Sequence, residues 1–425
     1  MLTLIFSVFL ISLFMGFPVA VCLALTTISG LLLQDIPLIV VVQRMFQGFN
    51  SFSLLAVPFF VLAGELMNKC GLTQRLIDFS YMLVGRIPGG LAHANIAASM
   101  FFGGISGSAV ADTAAMGSIL VPGMIRNGYD AGFSAAVTAA SSTMGPIIPP
   151  SILMVIMGVT TGMSIGGLFV AGIIPGLLLG LAMMAYSYVI AIRKHYPKDP
   201  QPLTLKRVVH SLKEAGPALL APVIIMGGIM FGVFTPTEAA AVAVFYALIL
   251  GLCYRSLHLS DLVEVLSSSV VTTATLLFII GTANAFAWLL ASEQIPTLLA
   301  NMITSLTTST IMVLLLINAL LLFVGMFLEG GAAIIILAPT LLSVATAVGV
   351  EPLHFGMIMV LNMAVGLLTP PLGVCLFVVC GVTKLDLGYV IKAVWPFIIV
   401  ELLVLLLVTY CPVISLGLPS LLGYL

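Results

Sequence analysis

Long apolar runs dominate this chain. Leu2–Leu33, Leu168–Ile192 and Leu387–Val408 each exceed the roughly 20 residues that a helix needs to cross a bilayer. Strands of a membrane barrel alternate apolar and polar residues in pieces of about 10, and these runs do not alternate. Lipid tolerates only backbone whose polar groups are paired internally, so the runs read as helices. Of the 425 residues, 61% are hydrophobic and 7% charged. A water-facing surface carries roughly 25% charged residues. A soluble enzyme, a nucleic-acid binder and a disordered chain are thereby excluded, and a net charge of −1 offers nothing to DNA or RNA. The sequence predicts an all-α polytopic membrane protein with room for roughly a dozen crossings or half-crossings. Its apolar start reads as a first membrane helix rather than a signal peptide. The six cysteines are scattered, form no CxxC pair and read as small buried hydrophobes.

Six of the 14 Lys and Arg residues fall in Arg193–Lys213, which reads as a solvated, cytoplasmic connector. It divides the chain nearly in half, and the halves repeat. Residues 145–151 read GPIIPPS and residues 366–372 read GLLTPPL. Gly145 matches Gly366, Pro149 matches Pro370 and Pro150 matches Pro371, all at one offset (366 − 145 = 221). The same offset takes Gly104 to Gly325, Asp130 to Glu351 and Pro175 to Pro396, while Pro18 and Pro236 match at 218.

Each Pro-Pro pair falls within an apolar stretch. Proline has no N–H to return to the carbonyl four residues earlier. Pro149 and Pro150 therefore orphan the carbonyls of Gly145 and Pro146, and Pro370 and Pro371 those of Gly366 and Leu367. The residues before them, Ile148 and Thr369, are expected to be extended. Broken backbone at membrane depth survives where it is buried in protein or lines a wet cavity, and there it supplies oxygen ligands for a monovalent cation such as Na⁺. The bland alternative is a proline kink in a packed helix.

A polar constellation precedes each break: FGGISGSAVADTAA at Phe101–Ala115, and FVGMFLEGGAA at Phe323–Ala333. Glu329 occupies the place of Ser108 or Asp112 of the first half. A carboxylate inside the membrane costs roughly 2.5–3.5 kcal/mol on insertion scales, which marks Asp112 and Glu329 as functional candidates. Glu65, Glu238 and Glu401 lack a polar cluster and read as structural, Glu238 as part of a capping box. Hydroxyls at Ser141–Gly145 and half-helix N-termini can hold a carboxylate solute. Arg126 reads as a helix-end anchor, and the five histidines show no metal-ligand spacing. GISG at Gly104–Gly107 matches the GxSG pattern of rhomboid-type proteases, with Ser106 as nucleophile. Only His93 and His354 offer a base, and a protease gives no reason for the paired breaks. No P-loop, HExxH or ring-forming filter motif is present.

FGGISGSAVADTAAMGSILVP with SSTMGPIIPPS, and FLEGGAAIIILAP with GLLTPPLG, together with MGFPVAV and AVPFFVLAGELM, resemble the large membrane subunit of tripartite ATP-independent periplasmic (TRAP) transporters. The resemblance covers essentially the whole chain. It implies an elevator-type fold of two inverted structural repeats, each with a scaffold part and a transport part containing a re-entrant helical hairpin. Residues 1–85 and 217–300 would be scaffold, 86–192 and 301–425 transport, and 193–216 the connector. The hairpins would lie near 131–160 and 355–382. The implied function is Na⁺-coupled import of an organic acid, of the sialic acid or C4-dicarboxylate type, across the bacterial inner membrane, without enzymatic activity. Implied partners are a periplasmic substrate-binding protein and a small four-helix membrane subunit, expected here on a separate chain. One Na⁺ site would use Gly103, Ser106, Gly145, Ile148 and Pro150, and a second Gly325, Gly366, Thr369 and Leu372. Substrate would sit near Ser108, Asp112, Ser142, Thr143, Ser151 and Glu329.

Overall fold

In a computed structural model, residues 2–201, 204–295, 297–298, 301–302, 307 and 309–425 are described. Pro202 and Leu203 of the connector, and the expected 300/301 boundary, lie outside the described residues. The first half contains α1 (Leu2–Phe14), α2 (Val19–Leu33), α3 (Ile39–Phe49), a 3₁₀ turn at Phe52–Leu55, α4 (Ala56–Lys69) and α5 (Leu72–Val84). These are followed by α6 (Gly90–Ser106), α7 (Ala109–Arg126), α8 (Ala131–Ser142), α9 (Ile152–Thr161) and α10 (Ile165–Lys194). The second half contains α11 (Leu205–Met230), α12 (Pro236–Cys253), α13 (Leu259–Ser292), α14 (Thr310–Gly325) and α15 (Gly330–Ala347). It ends with α16 (Pro352–Gly366), α17 (Val374–Thr383), α18 (Leu387–Tyr410) and α19 (Val413–Leu421). The described residues contain no strand. Among them, seven helices are long and apolar enough to cross a membrane: Phe52–Lys69, α10, α11, α12, Ser260–Ser292 within α13, α15 and α18.

The connector is partly helical and its residues 204–214 are exposed or half-buried. From Leu205 onward it is already helical, because Thr204 caps α11 by accepting the Arg207 N–H. Glu238 does form a capping box with Thr235 at the start of α12, and Arg126 lies in the last turn of α7.

The repeat is written in the helix ends. Adding 221 to the first and last residues of α7 gives those of α15, and adding it to the first residue of α8 gives that of α16. The same shift takes Ser108, which caps α7, to Glu329, which caps α15. Packing between the repeats is reciprocal: α7 packs on α17 and α15 on α9, while α8 packs on α18 and α16 on α10. Such self-complementary contact is what a two-fold relation generates. The fronts of the halves are less alike. One long helix, α13, takes the place of α3, the 3₁₀ turn and α4, and it packs against α2, α3 and α4.

Candidate functional site

Both helical hairpins fall where the prolines place them. The first breaks between Ser142 and Ile152, with the Pro149–Pro150 peptide cis. The N–H groups of Thr143, Met144 and Gly145 bond carbonyls three residues back, tightening the end of α8. Ile148 then leaves the helix in a bend, and an extended Ser151 (φ −134°, ψ 130°) starts α9. The second breaks between Gly366 and Val374, again with a cis Pro370–Pro371 peptide, and Thr369 lies in the bend.

Three of the four carbonyls expected to be orphaned are recaptured. Ser151 Oγ donates to the Pro146 carbonyl at 2.6 Å. The Thr369 N–H bonds the Gly366 carbonyl at 3.1 Å, and the Cys375 N–H bonds that of Leu367 at 3.0 Å. Among the described residues no donor reaches the carbonyl of Gly145. Of the carbonyls that the prolines free, the first hairpin thus keeps one unpaired and the second none among the described residues.

At each tip, missing side chains allow backbone to meet backbone. Between α6 and α7 the chain turns through Gly107 at φ +60°. A methyl placed on Gly103 would lie 3.0 Å from the Cα of Gly145, and one on Gly107 would lie 2.8 Å from the Pro150 carbonyl oxygen. In the second repeat a methyl on Gly366 would lie 2.7 Å from the carbonyl oxygen of Gly325. Gly103, Gly145 and Pro150 therefore converge, as do Gly325 and Gly366. Ser106 sits in the same turn, its hydroxyl 3.4 Å from the Ser108 N–H. Ile148 turns its side chain onto Gly176 of α10. Thr369 donates its hydroxyl to the Val365 carbonyl at 2.7 Å, and Leu372 is exposed. Among the described residues, no cluster of His, Cys, Asp or Glu suits a transition metal. The donors available at both tips are oxygens, as a hard monovalent cation requires.

A family match fits this architecture. Residues 6–414 match the tripartite ATP-independent periplasmic transporter, DctM component. The chain belongs to that family. It is therefore a membrane transport protein of the inner membrane and not an enzyme. It is 44% identical over 415 residues to the sialic acid TRAP transporter large permease protein SiaM of Vibrio cholerae, covering 97% of each chain. It is 44% identical over 381 residues to the C4-dicarboxylate TRAP transporter large permease protein DctM of Pseudomonas aeruginosa, covering 89% of each. With the isethionate TRAP transporter permease protein DctMQ of Oleidesulfovibrio alaskensis it shares 42% identity, over 97% of this chain but 65% of that longer one. Among solved structures, the Alcanivorax borkumensis YdaH transporter, described as having an unusual topology, matches with a TM-score of 0.58 at 17% identity. That match covers 89% of this chain and 87% of the other, and it speaks for the fold alone.

In this TRAP permease the remaining expected residues divide into two sets. Ser108 and Ser151 cap α7 and α9, whose N-termini converge: a methyl on Gly107 would also lie 3.2 Å from the Ile152 nitrogen. Glu329 accepts the Ala332 N–H at 3.2 Å, and the α15 N-terminus it caps faces Leu153 and Ile156 of α9. Asp112 and Ser142 form the second set. Asp112 is fully buried beside the hydroxyls of Ser99 and Ser142. Ser99 shares a hydrogen bond with Ser141 and Ser142 donates to the Thr138 carbonyl, and among the described residues neither Asp112 oxygen has a partner within hydrogen-bond distance.

Two arrangements escape the sequence. A buried ladder links α6 to α8 through Asn95, Thr138, Ser141 and Ser99, and Asn318 with Asn362 links α14 to α16 in the same way. Asn362 is the counterpart of Ser141 at the 221 offset, a signal hidden because the residue types differ. Glu401 of α18, read from sequence as structural, bonds Thr143 at the first break. Only the isolation of a carboxylate in an apolar helix pointed to it.

Proposed function

We propose that this permease imports an organic acid by coupling its movement to Na⁺ flowing inward, with the two hairpins forming the cation and substrate sites. The unpaired carbonyl of Gly145, a residue whose backbone packs closely on the α6–α7 turn, carries the reading. Main-chain oxygens freed by a helix break can hold Na⁺ with no carboxylate. Gly103, Ser106, Gly145, Ile148 and Pro150 would hold one ion, and Gly325, Gly366, Thr369 and Leu372 a second. The N-termini of α7 and α9, with Ser108, Ser142, Thr143 and Ser151, favour an anionic solute. Asp112 and Glu329 would orient the site rather than contact the anion, which a bare carboxylate repels. The relatives' names put sialic acid and C4-dicarboxylates first among the candidate solutes.

In this scheme residues 86–192 and 301–425 travel together as the transport part against a scaffold of 1–85 and 217–300, in an elevator motion. A periplasmic binding protein delivers the solute, and a small four-helix membrane subunit completes the transporter. Uptake into proteoliposomes is expected to require the binding protein, the small subunit and an inward Na⁺ gradient together. Equal uptake driven by K⁺ overturns the Na⁺ coupling, and non-saturating currents identify a pore instead.

A further inference from the structure

Thr143 makes one contact too many for its single hydroxyl hydrogen. Its Oγ1 lies 2.7 Å from the Ala140 carbonyl oxygen and 2.7 Å from Oε1 of Glu401. A carbonyl oxygen only accepts, and an ionised carboxylate only accepts. With Glu401 ionised, one of these short oxygen–oxygen contacts would contain no hydrogen. A protonated Glu401 resolves both: Oε1–H donates to Thr143 Oγ1, which donates to Ala140.

Burial supports the same assignment. Glu401 is 1% exposed, and its Oε2 has no hydrogen-bond partner among the described residues. An ionised carboxylate left this way in a dry interior is strongly disfavoured. Among the described residues no cation faces it from the helices packed on α18. Thr143 faces it from α8, and the Cys375 thiol of α17 lies within electrostatic reach of both Glu401 and Asp112 of α7. From α10, Tyr186 stacks edge-on against Phe397, and on α16 the His354 ring is taken up by Ser415 and the Thr409 carbonyl.

We propose that Glu401 is a proton-binding site, and that docking of the first hairpin through Thr143 and protonation of Glu401 are one event. When the carboxyl opens to water its O–H bond breaks and the proton passes to solvent, leaving a carboxylate that Thr143 can no longer satisfy together with Ala140. The permease then handles a proton as well as the proposed Na⁺, because Thr143 lies two residues before Gly145. Only this last link rests on the Na⁺ reading.

Infrared spectra of the purified wild-type permease and Glu401→Gln test the proton directly. The glutamine amide keeps a donor toward Thr143, so the fold is preserved. The expected difference spectrum contains the carbonyl band of a protonated carboxyl, and Thr143→Val shifts that band. Its absence at neutral pH overturns the proposal whatever the permease transports. Binding of ²²Na⁺ is then expected to weaken with rising pH, approaching tenfold per unit where Glu401 titrates, and to lose that dependence in Glu401→Gln. The same pH profile in both proteins, or none in either, overturns the coupling. Failure of wild type to bind ²²Na⁺ at any pH removes the Na⁺ reading and leaves the infrared result standing.

Discussion

At the residue scale, glycines at the hairpin tips are fixed by what lies beside them. A methyl on Gly366 would meet the Cα, C and O atoms of Gly325 at 2.7–2.8 Å, and backbone in a packed helix end cannot retreat as a flexible side chain would. Gly366→Ala is expected to cut uptake at least tenfold, about 1.4 kcal/mol, at unchanged membrane insertion. Gly123→Ala is the control: nothing lies within 4 Å of its added methyl, and alanine favours the helix by up to about 1 kcal/mol. Thermal melting of the detergent-solubilised protein should show Gly123→Ala equal to or above wild type. Ser151 answers a different question. Its hydroxyl serves both the Pro146 carbonyl and the Met154 N–H, so Ser151→Ala leaves two buried groups unpaired and should lower the melting temperature by the equivalent of about 2 kcal/mol. An unchanged melting temperature would mean that water replaces the hydroxyl there.

At the element scale, the breaks were legible and their repair was not. Proline lacks an N–H wherever it stands, so Pro149–Pro150 and Pro370–Pro371 reveal both hairpins from local chemistry alone. Which freed carbonyl finds a new donor depends on how the chain returns after the break. Cys375 reaches Leu367 only because Gly373, at φ +49°, swings α17 back. Thr143 and Glu401 stand 258 positions apart, and no sequence pattern joins them. The recapture makes the two hairpins unequal, and that has a consequence. Pro149→Ala offers a new N–H to the free Gly145 carbonyl and should abolish Na⁺-dependent uptake. Pro371→Ala offers one to the Leu367 carbonyl, which Cys375 already serves, and should cost markedly less. ²²Na⁺ binding on both variants checks this, and equal losses would show that the free carbonyl is not what distinguishes the first tip.

At the scale of the whole molecule, reciprocal packing makes α7, α8 and α9 inseparable from their counterparts α15, α16 and α17: each repeat completes the other's core. Contacts from this body to the front helices are uneven: α6 packs broadly on α5 and α15 on α13, whereas against α11 the contact narrows to small residues. Gly166 of α10 faces Ile229 of α11, and Gly104 of α6 faces Pro222 of the same helix. If the body slides as a unit, those contacts must break in every cycle, whereas a pore with a fixed wall would keep them. The pair Gly166→Cys and Ile229→Cys tests this in a background lacking Cys253, Cys380 and Cys411, the three cysteines that are not buried. A methyl on Gly166 would lie 3.2 Å from the Ile229 Cγ2 atom, which is one bond from the Ile229 Cβ, and a disulfide needs about 3.5–4.5 Å between Cβ atoms. Oxidation is expected to stop uptake and reduction to restore it, with each single-cysteine protein unaffected. Full uptake by the oxidised pair would mean that α10 and α11 move together, and the dividing line of the elevator would then have to run elsewhere.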